Sequence, residues 1–253
     1  MLSTKIFGAD TALPPLLIVH GLFGSGRNWG VIARRLSETR RVVTVDMRNH
    51  ADSFWADSHT YPELAADLSE VIAASGGRMD VLGHSMGGKA AMVLALTRPE
   101  QVNRLVVADI APVAYAHSQN HLIAAMRGLD LAGLTSRSEA DRRLAATVED
   151  AGTRAFLLQS LDLKADPPRW RLNLDVLERE MSKITGWPVV QGRYDGPTLF
   201  LTGALSSYVQ PEARATIKGL FPAARFAKLP GAGHWLHADR PREFEAAVAA
   251  FLS

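Results

Sequence analysis

Two periods alternate along this chain. Short, largely apolar runs at Leu16–Val19, Arg41–Val45, Met79–Leu82, Leu105–Ala108, Thr198–Thr202 and Arg225–Leu229 are four or five residues long. Their length and β-branched content predict buried strands. Between them, Tyr61–Ala74, Gly87–Arg98, Pro211–Gly219 and Pro241–Phe251 space their apolar residues at helical intervals. Strand alternating with helix in this way predicts an α/β fold, a mostly parallel sheet with helices on both faces.

One interval breaks the alternation. From Ala111 to Gly196 no strong buried-strand signal occurs, but helical patterns recur: Leu122, Ile123, Met126 and Leu129, then Ser138–Val148, then Leu174–Ile184. The interval starts after one predicted strand and ends before the next. It is therefore expected to be a helical cap insertion (111–196) over the sheet edge where such folds bind ligands, on a core made of 1–110 and 197–253. No repeat or low-complexity linker divides the chain further.

The densest chemical signal is Gly83-His84-Ser85-Met86-Gly87, with a predicted strand before it and a predicted helix after it. A serine on such a turn sits in a strained conformation that pushes its hydroxyl into the open, and the glycines avoid Cβ clashes with the packed strand and helix. The following helix aims its free N–H groups at the same place. A serine hydroxyl needs a base, and that base needs an orienting group. Of the eight histidines, His234 in Gly231-Ala232-Gly233-His234-Trp235 follows the last predicted strand on the same sheet edge, which makes it the expected base. His237 is the nearest competitor, and His84 should point away from Ser85.

The other half of an oxyanion site is expected in His20-Gly21-Leu22-Phe23-Gly24-Ser25-Gly26, with the N–H groups of Leu22 and Met86 as donors. This loop lacks the Gly-Lys-Ser/Thr ending of a phosphate-binding loop and the full glycine spacing of a dinucleotide site. His117 and His121 lie four apart but read as helix surface or cap entrance, so metal catalysis finds little support. No cofactor is expected.

Composition narrows the classes further. Over 253 residues, 28 Lys and Arg face 26 Asp and Glu, and a formal charge of +2 favours neither nucleic acid nor an anionic membrane as partner. With no cysteine, disulfides and thiol chemistry are excluded, and the opening residues lack the apolar stretch of a signal peptide, so cytoplasmic residence is expected. No apolar run is long enough to span a bilayer. Oligomeric state is not legible.

Taken jointly, His20-Gly21-Leu22-Phe23-Gly24-Ser25 with Asn28-Trp29, Asp46-Met47-Arg48-Asn49-His50, Gly83 to Lys89 and Asp109-Ile110-Ala111-Pro112 resemble the α/β-hydrolase superfamily, and within it the YbfF-type esterase branch. The resemblance runs from about Leu16 to the C-terminus. It implies activity on short acyl esters, with acyl-CoA thioesters as a further candidate class. Two departures stand out. Ala51 replaces a glycine usual in the branch, so a different turn is expected there, because alanine tolerates positive φ poorly. In most α/β-hydrolases the acid of the triad follows the strand before the histidine-bearing loop's strand, yet Pro197–Tyr208 contains no carboxylate and offers Ser206 or Ser207 instead. Asp109, at the end of the strand after the nucleophile helix, is the expected acid by strand order, and the branch resemblance points to it too. Asp46 is the runner-up, with capping of the Arg48–Ser53 loop as its other reading. Arg48, Asn49 and His50 read as a loop-stabilising cluster or a polar network at the pocket mouth, and Lys89 as a branch residue or a solvated helix position.

The leading expectation is a hydrolase of a small-molecule ester or thioester. Carbon–carbon bond hydrolysis of a diketone shares the triad and needs polar groups in the pocket to stabilise an enolate, for which Arg127, Arg169 and Arg171 are the candidates whose direction the pattern leaves open. A ligand receptor that keeps the fold is the alternative from another class.

Overall fold

A computed structural model describes all residues from Met1 to Ser253. In chain order the strands are β1 (Thr4–Phe7), β2 (Leu16–Val19), β3 (Val42–Val45), β4 (Met79–His84), β5 (Val102–Ala108), β6 (Leu161–Asp162), β7 (Arg169–Trp170), β8 (Thr198–Gly203) and β9 (Ala224–Leu229). The helices are α1 (Gly30–Leu36), α2 (Tyr61–Ala74), α3 (Met86–Thr97), α4 (Asn120–Gly128), α5 (Arg137–Leu144), α6 (Ala151–Leu157), α7 (Leu174–Arg179), α8 (Met181–Thr185), α9 (Ala213–Leu220), α10 (Leu236–Asp239) and α11 (Pro241–Leu252).

Seven strands form one sheet in the order β1-β3-β2-β4-β5-β8-β9. Only β1 runs antiparallel. The chain leaves β2 for β3 on one side and returns to β4 on the other, so order reverses at β2, where a crevice opens beyond the strand ends. Register brings those ends level: Val19 pairs with Gly83, His84 with Ala108, and Ala108 with Leu201. The residues that follow β2, β4, β5 and β8 therefore share one rim.

All six predicted strands are present, and β2, β4 and β8 are buried at every position, which is why their apolar runs were so plain. The first strand, β1, escapes such reading because it is a largely exposed edge strand with no apolar run. Helix α2 starts where its sequence directs: Thr60 and Glu63 form a reciprocal capping box and Pro62 sits in the first turn. Helices α1 and α11 cover one face through Ile32, Phe244 and Val248 around Trp29. On the opposite face α2, α3 and α9 pack with the segment between β5 and β8 into a single continuous core.

That segment holds α4 to α8 and the short antiparallel β6–β7 pair. Its predicted helix over Leu174–Ile184 is two helices, α7 and α8, meeting at Glu180. Ile123, Met126, Leu157, Trp170 and Leu177 merge into the main core, so the segment has no core of its own. No helix is long and apolar enough to cross a membrane.

Candidate active site

The turn from β4 into α3 places Ser85 at φ 52°, ψ −121°. The sharp turn can form because the residues two positions to either side, Gly83 and Gly87, carry no side chain. A Cβ on Gly83 would lie 2.4 Å from the Gly87 carbonyl oxygen, and one on Gly87 would lie 2.4 Å from that of His20. The strand end and the helix start can approach only as glycine on glycine.

His234 lies in the loop between β9 and α10. Its Nε2 accepts from the Ser85 hydroxyl at 3.0 Å, and its Nδ1 donates to Asp109 Oδ2 at 2.8 Å. Asp109, fully buried at the end of β5, accepts the Gly203 N–H on Oδ1 at 3.0 Å and the Ser206 hydroxyl on Oδ2. His84 turns away from Ser85 and donates from Nε2 to the His234 carbonyl at 2.8 Å, which ties the histidine loop to β4. His237 stacks on Trp29 with centroids 4.0 Å apart, and its Nδ1 is buried without a partner. The structure thus brings Ser85, His234 and Asp109 into one hydrogen-bonded run and leaves His237 outside it. Asp46 instead accepts the N–H groups of Gly26 (2.8 Å) and Asp52 (3.2 Å), the capping geometry of a loop acid.

Leu22 and Met86 both line the cavity beside Ser85. Neither N–H donates to an acceptor within the protein, unlike Phe23 N–H, which donates to His50 Nε2 at 3.2 Å. Two unspent backbone donors beside a serine hydroxyl can receive a developing oxyanion. The loop that carries Leu22 is fixed from beneath. His20 donates to the Gly21 carbonyl (2.7 Å) and accepts from Met47 N–H (2.9 Å), while His50 donates to the Arg48 carbonyl (2.9 Å). Burial pushes His20 down to about 4 and His50 to about 3, so both stay neutral at pH 7 and keep one tautomer.

Several expectations change. Arg48 makes two hydrogen bonds to Asp67, at 2.6 and 2.9 Å, and Asn49 bonds Ser58 and Ala56, so the cluster stabilises its loop and contributes nothing to the pocket lining. Ala51 keeps a positive φ of 47°, held by an N–H bond to the Arg171 carbonyl at 2.7 Å, so the expected different turn does not follow from losing the glycine. Lys89 is not solvated. It is 1% exposed, and its ammonium donates to the carbonyls of Thr185 (2.9 Å) and Gly186 (2.5 Å) at the end of α8. Desolvation lowers its pKa to about 7. One signal could have revealed it: Lys89 lies four residues past Ser85, on the same helix face. Met126 and Leu129 are buried in the core, whereas Leu122, Phe156 and Ile184 line the cavity. That cavity, of ≈ 120 Å³, opens onto Ser85 and His234. Tyr208, which sequence reasoning passed over, lies flat against the His234 ring with centroids 3.8 Å apart.

A family model described as the alpha/beta hydrolase fold matches residues 14–241. The chain belongs to the α/β-hydrolase family. This α/β-hydrolase is 42% identical to the mouse (Mus musculus) sn-1-specific diacylglycerol lipase ABHD11, over 100% of its own length and 85% of the relative's. It is 36% identical to the esterase YbfF of Escherichia coli K12, over 94% of this chain and 93% of that one. Among solved structures, a marine microorganism esterase superposes with a TM-score of 0.93 at 37% identity, covering 99% of this α/β-hydrolase and 98% of the other chain.

Proposed function

We propose that this α/β-hydrolase cleaves carboxylic esters, and thioesters of similar acyl groups, through an acyl-enzyme on Ser85. The hydrogen-bonded run from Ser85 through His234 to Asp109, open to the cavity at its serine end, carries this reading. The names of the relatives, an esterase and a lipase, support the bond type.

In this mechanism Ser85 Oγ attacks the acyl carbon and its proton passes to His234 Nε2. The carbonyl oxygen gains the electron pair and is held by the N–H groups of Leu22 and Met86. Asp109 keeps the proton-bearing Nδ1 turned inward and stabilises the imidazolium. Collapse expels the alcohol or thiol, which leaves with the proton from His234. Water then gives a proton to His234 and attacks the acyl carbon, and the carboxylic acid departs as Ser85 recovers its proton. No cofactor takes part.

Residues 111–196 act as the cap in this reading. Leu122, Phe156 and Ile184 give the cavity an apolar wall that selects by size. The arginines on which diketone cleavage would draw lie elsewhere: Arg127 pairs with Asp175 and Glu178, Arg171 pairs with Asp52, and Arg169 faces a separate groove. Cytoplasmic residence belongs to the proposal and rests on the cysteine-free composition.

A chromogenic butyrate ester tests it. Product should appear as a burst followed by sustained turnover; one turnover and arrest would point to a binding module. Ser85→Ala should lower turnover on the order of a millionfold without unfolding the protein. A fluorophosphonate should label Ser85, and labelling that persists in Ser85→Ala contradicts the assignment.

A further inference from the structure

Where the loop after β8 lacks a carboxylate, it sets two other groups against the site. Ser206 donates to Asp109 Oδ2, the same oxygen that accepts from His234 Nδ1. The charge that would steady an imidazolium is therefore divided between two donors. Two residues on, the Tyr208 ring covers the His234 imidazole, with centroids 3.8 Å apart and planes 14° from parallel.

The Tyr208 backbone is held independently of His234. The Tyr115 hydroxyl accepts from Ala111 N–H (2.9 Å) and donates to the Tyr208 carbonyl (2.8 Å), and Tyr208 N–H donates to Ser206 Oγ (3.3 Å). His117 meets the ring edge-on, with centroids 5.2 Å apart. Two neutral aromatic rings prefer offset or edge-to-face packing to a face-to-face sandwich. A cation over the ring face reverses that preference. A face-to-face stack of this kind suits an imidazolium over the ring better than a neutral imidazole.

We propose that Tyr208 is a positioning residue whose ring face stabilises the His234 imidazolium, in part replacing the carboxylate that its loop lacks. The proposal rests on His234 being the base. Asp109 is the carboxylate that meets His234. The other groups around it are His84 (centroid 4.8 Å away), His237, His117 and Lys89. Burial drives His84 well below the usual histidine range and His237 to about 3, so both stay neutral beside it, and burial lowers His117 as well. Burial also raises the Tyr208 phenol, which keeps the ring uncharged. Lys89, lowered to about 7, is the neighbour that changes charge near neutrality. Variants must therefore be compared with one another, with Lys89 common to all.

The test replaces Tyr208 with phenylalanine, with phenylalanines of increasing ring fluorination, and with leucine. Shape is nearly constant across the fluorinated series while the negative charge of the ring face declines. Stabilising the protonated imidazole raises the pH at which it loses its proton, so weakening the stack should move the acid limb of the kcat/KM profile to lower pH. Tyr208→Phe should stay within about twofold of the parent, because the ring face remains. Along the series the limb should descend steadily by up to about one pH unit, with kcat falling up to about tenfold. NMR titration of the His234 ring carbons should move in step. A limb and an NMR midpoint that stay fixed across the series overturn the proposal, as does a Tyr208→Phe loss equal to that of Tyr208→Leu. His234→Ala separates the two claims: if it keeps turnover, the base assignment fails and the role of Tyr208 with it, whatever the NMR series shows.

Discussion

The rim of the sheet and the segment that covers it are built to different standards of strain. Five non-glycine residues have positive φ: Phe23, Asn49, Ala51, Ser85 and Asp109. Each lies on a loop leaving β2, β3, β4 or β5, and each has its N–H fixed, to His50 Nε2 and to the carbonyls of Phe54, Arg171, Ala108 and Leu201 respectively. Between β5 and β8, beyond Asp109, positive φ occurs only at Gly133 and Gly192, where it is tolerated freely. Backbone strain of this kind costs about 1–3 kcal/mol per residue and persists only where surrounding bonds over-determine it. The serine, the carboxylate and the two unspent N–H groups that the proposed chemistry would use thus lie on these strained loops, and the His234 imidazole meets them from the loop after β9. The covering segment shares the main core, adds relaxed helices, and lines the cavity with Leu122, Phe156 and Ile184, which in the proposed reading need only have the right size.

The contrast can be broken or sharpened by substitution. The largest effect on activity is the loss at Ser85→Ala described above, since nothing in the cover can replace the nucleophile. On stability, Gly87→Ala should cost on the order of 3 kcal/mol, because its Cβ would press on the backbone oxygens of His20 and Val19 and neither strand nor loop can retreat. A urea midpoint unchanged by Gly87→Ala would show the rim to be softer than claimed. Leu122→Trp, in the cover, should leave the fold intact and shift the preference between acetate and hexanoate esters by about tenfold, the scale at which apolar pockets discriminate. An unchanged chain-length profile would reduce the segment to a structural cover. The smallest effect is expected at Gly128→Ala, near the end of α4, where no atom lies within 4 Å of the added Cβ. It should stabilise by about 0.5–1 kcal/mol through the unfolded chain, and a clear loss of stability there would mean that the cover, too, is tightly constrained.

Sheet and nucleophile turn were legible because their physics restricts residue type. Strands buried at every position draw mostly on apolar residues, and the Ser85 turn admits only glycine at Gly83 and Gly87. The meeting of Asp109 with His234 was reachable by counting strands, since register aligns the ends of β4, β5 and β8. The four-residue β1 and the seven-residue α1 and α6 were missed, being too short to display a period. Lys89 and Tyr208 were hidden for another reason. Their roles depend on what crosses from elsewhere in the chain, the α8 carbonyls for one and the His234 ring for the other; the spacing of Lys89 from Ser85 marks the side it faces but not what meets it there. Leu122 and Met126 share helix α4, yet the first lines the cavity and the second lies in the core, because apolarity alone does not distinguish a core face from a cavity wall.

The central claim is that Asp109 serves His234 from the end of β5, in place of an acid on the loop after β8. It is tested most directly by kcat/KM for Asp109→Asn, measured beside Asp46→Asn and the double variant Asp109→Asn/Ser206→Asp. Asp109→Asn should keep the fold and lose up to about ten-thousandfold, since an amide neither holds the required tautomer nor stabilises the imidazolium. Asp46→Asn should stay near the parent. The double variant should recover part of the loss, because residue 206 already touches the carboxylate it would replace. Near-normal turnover in Asp109→Asn with collapse in Asp46→Asn would contradict the account.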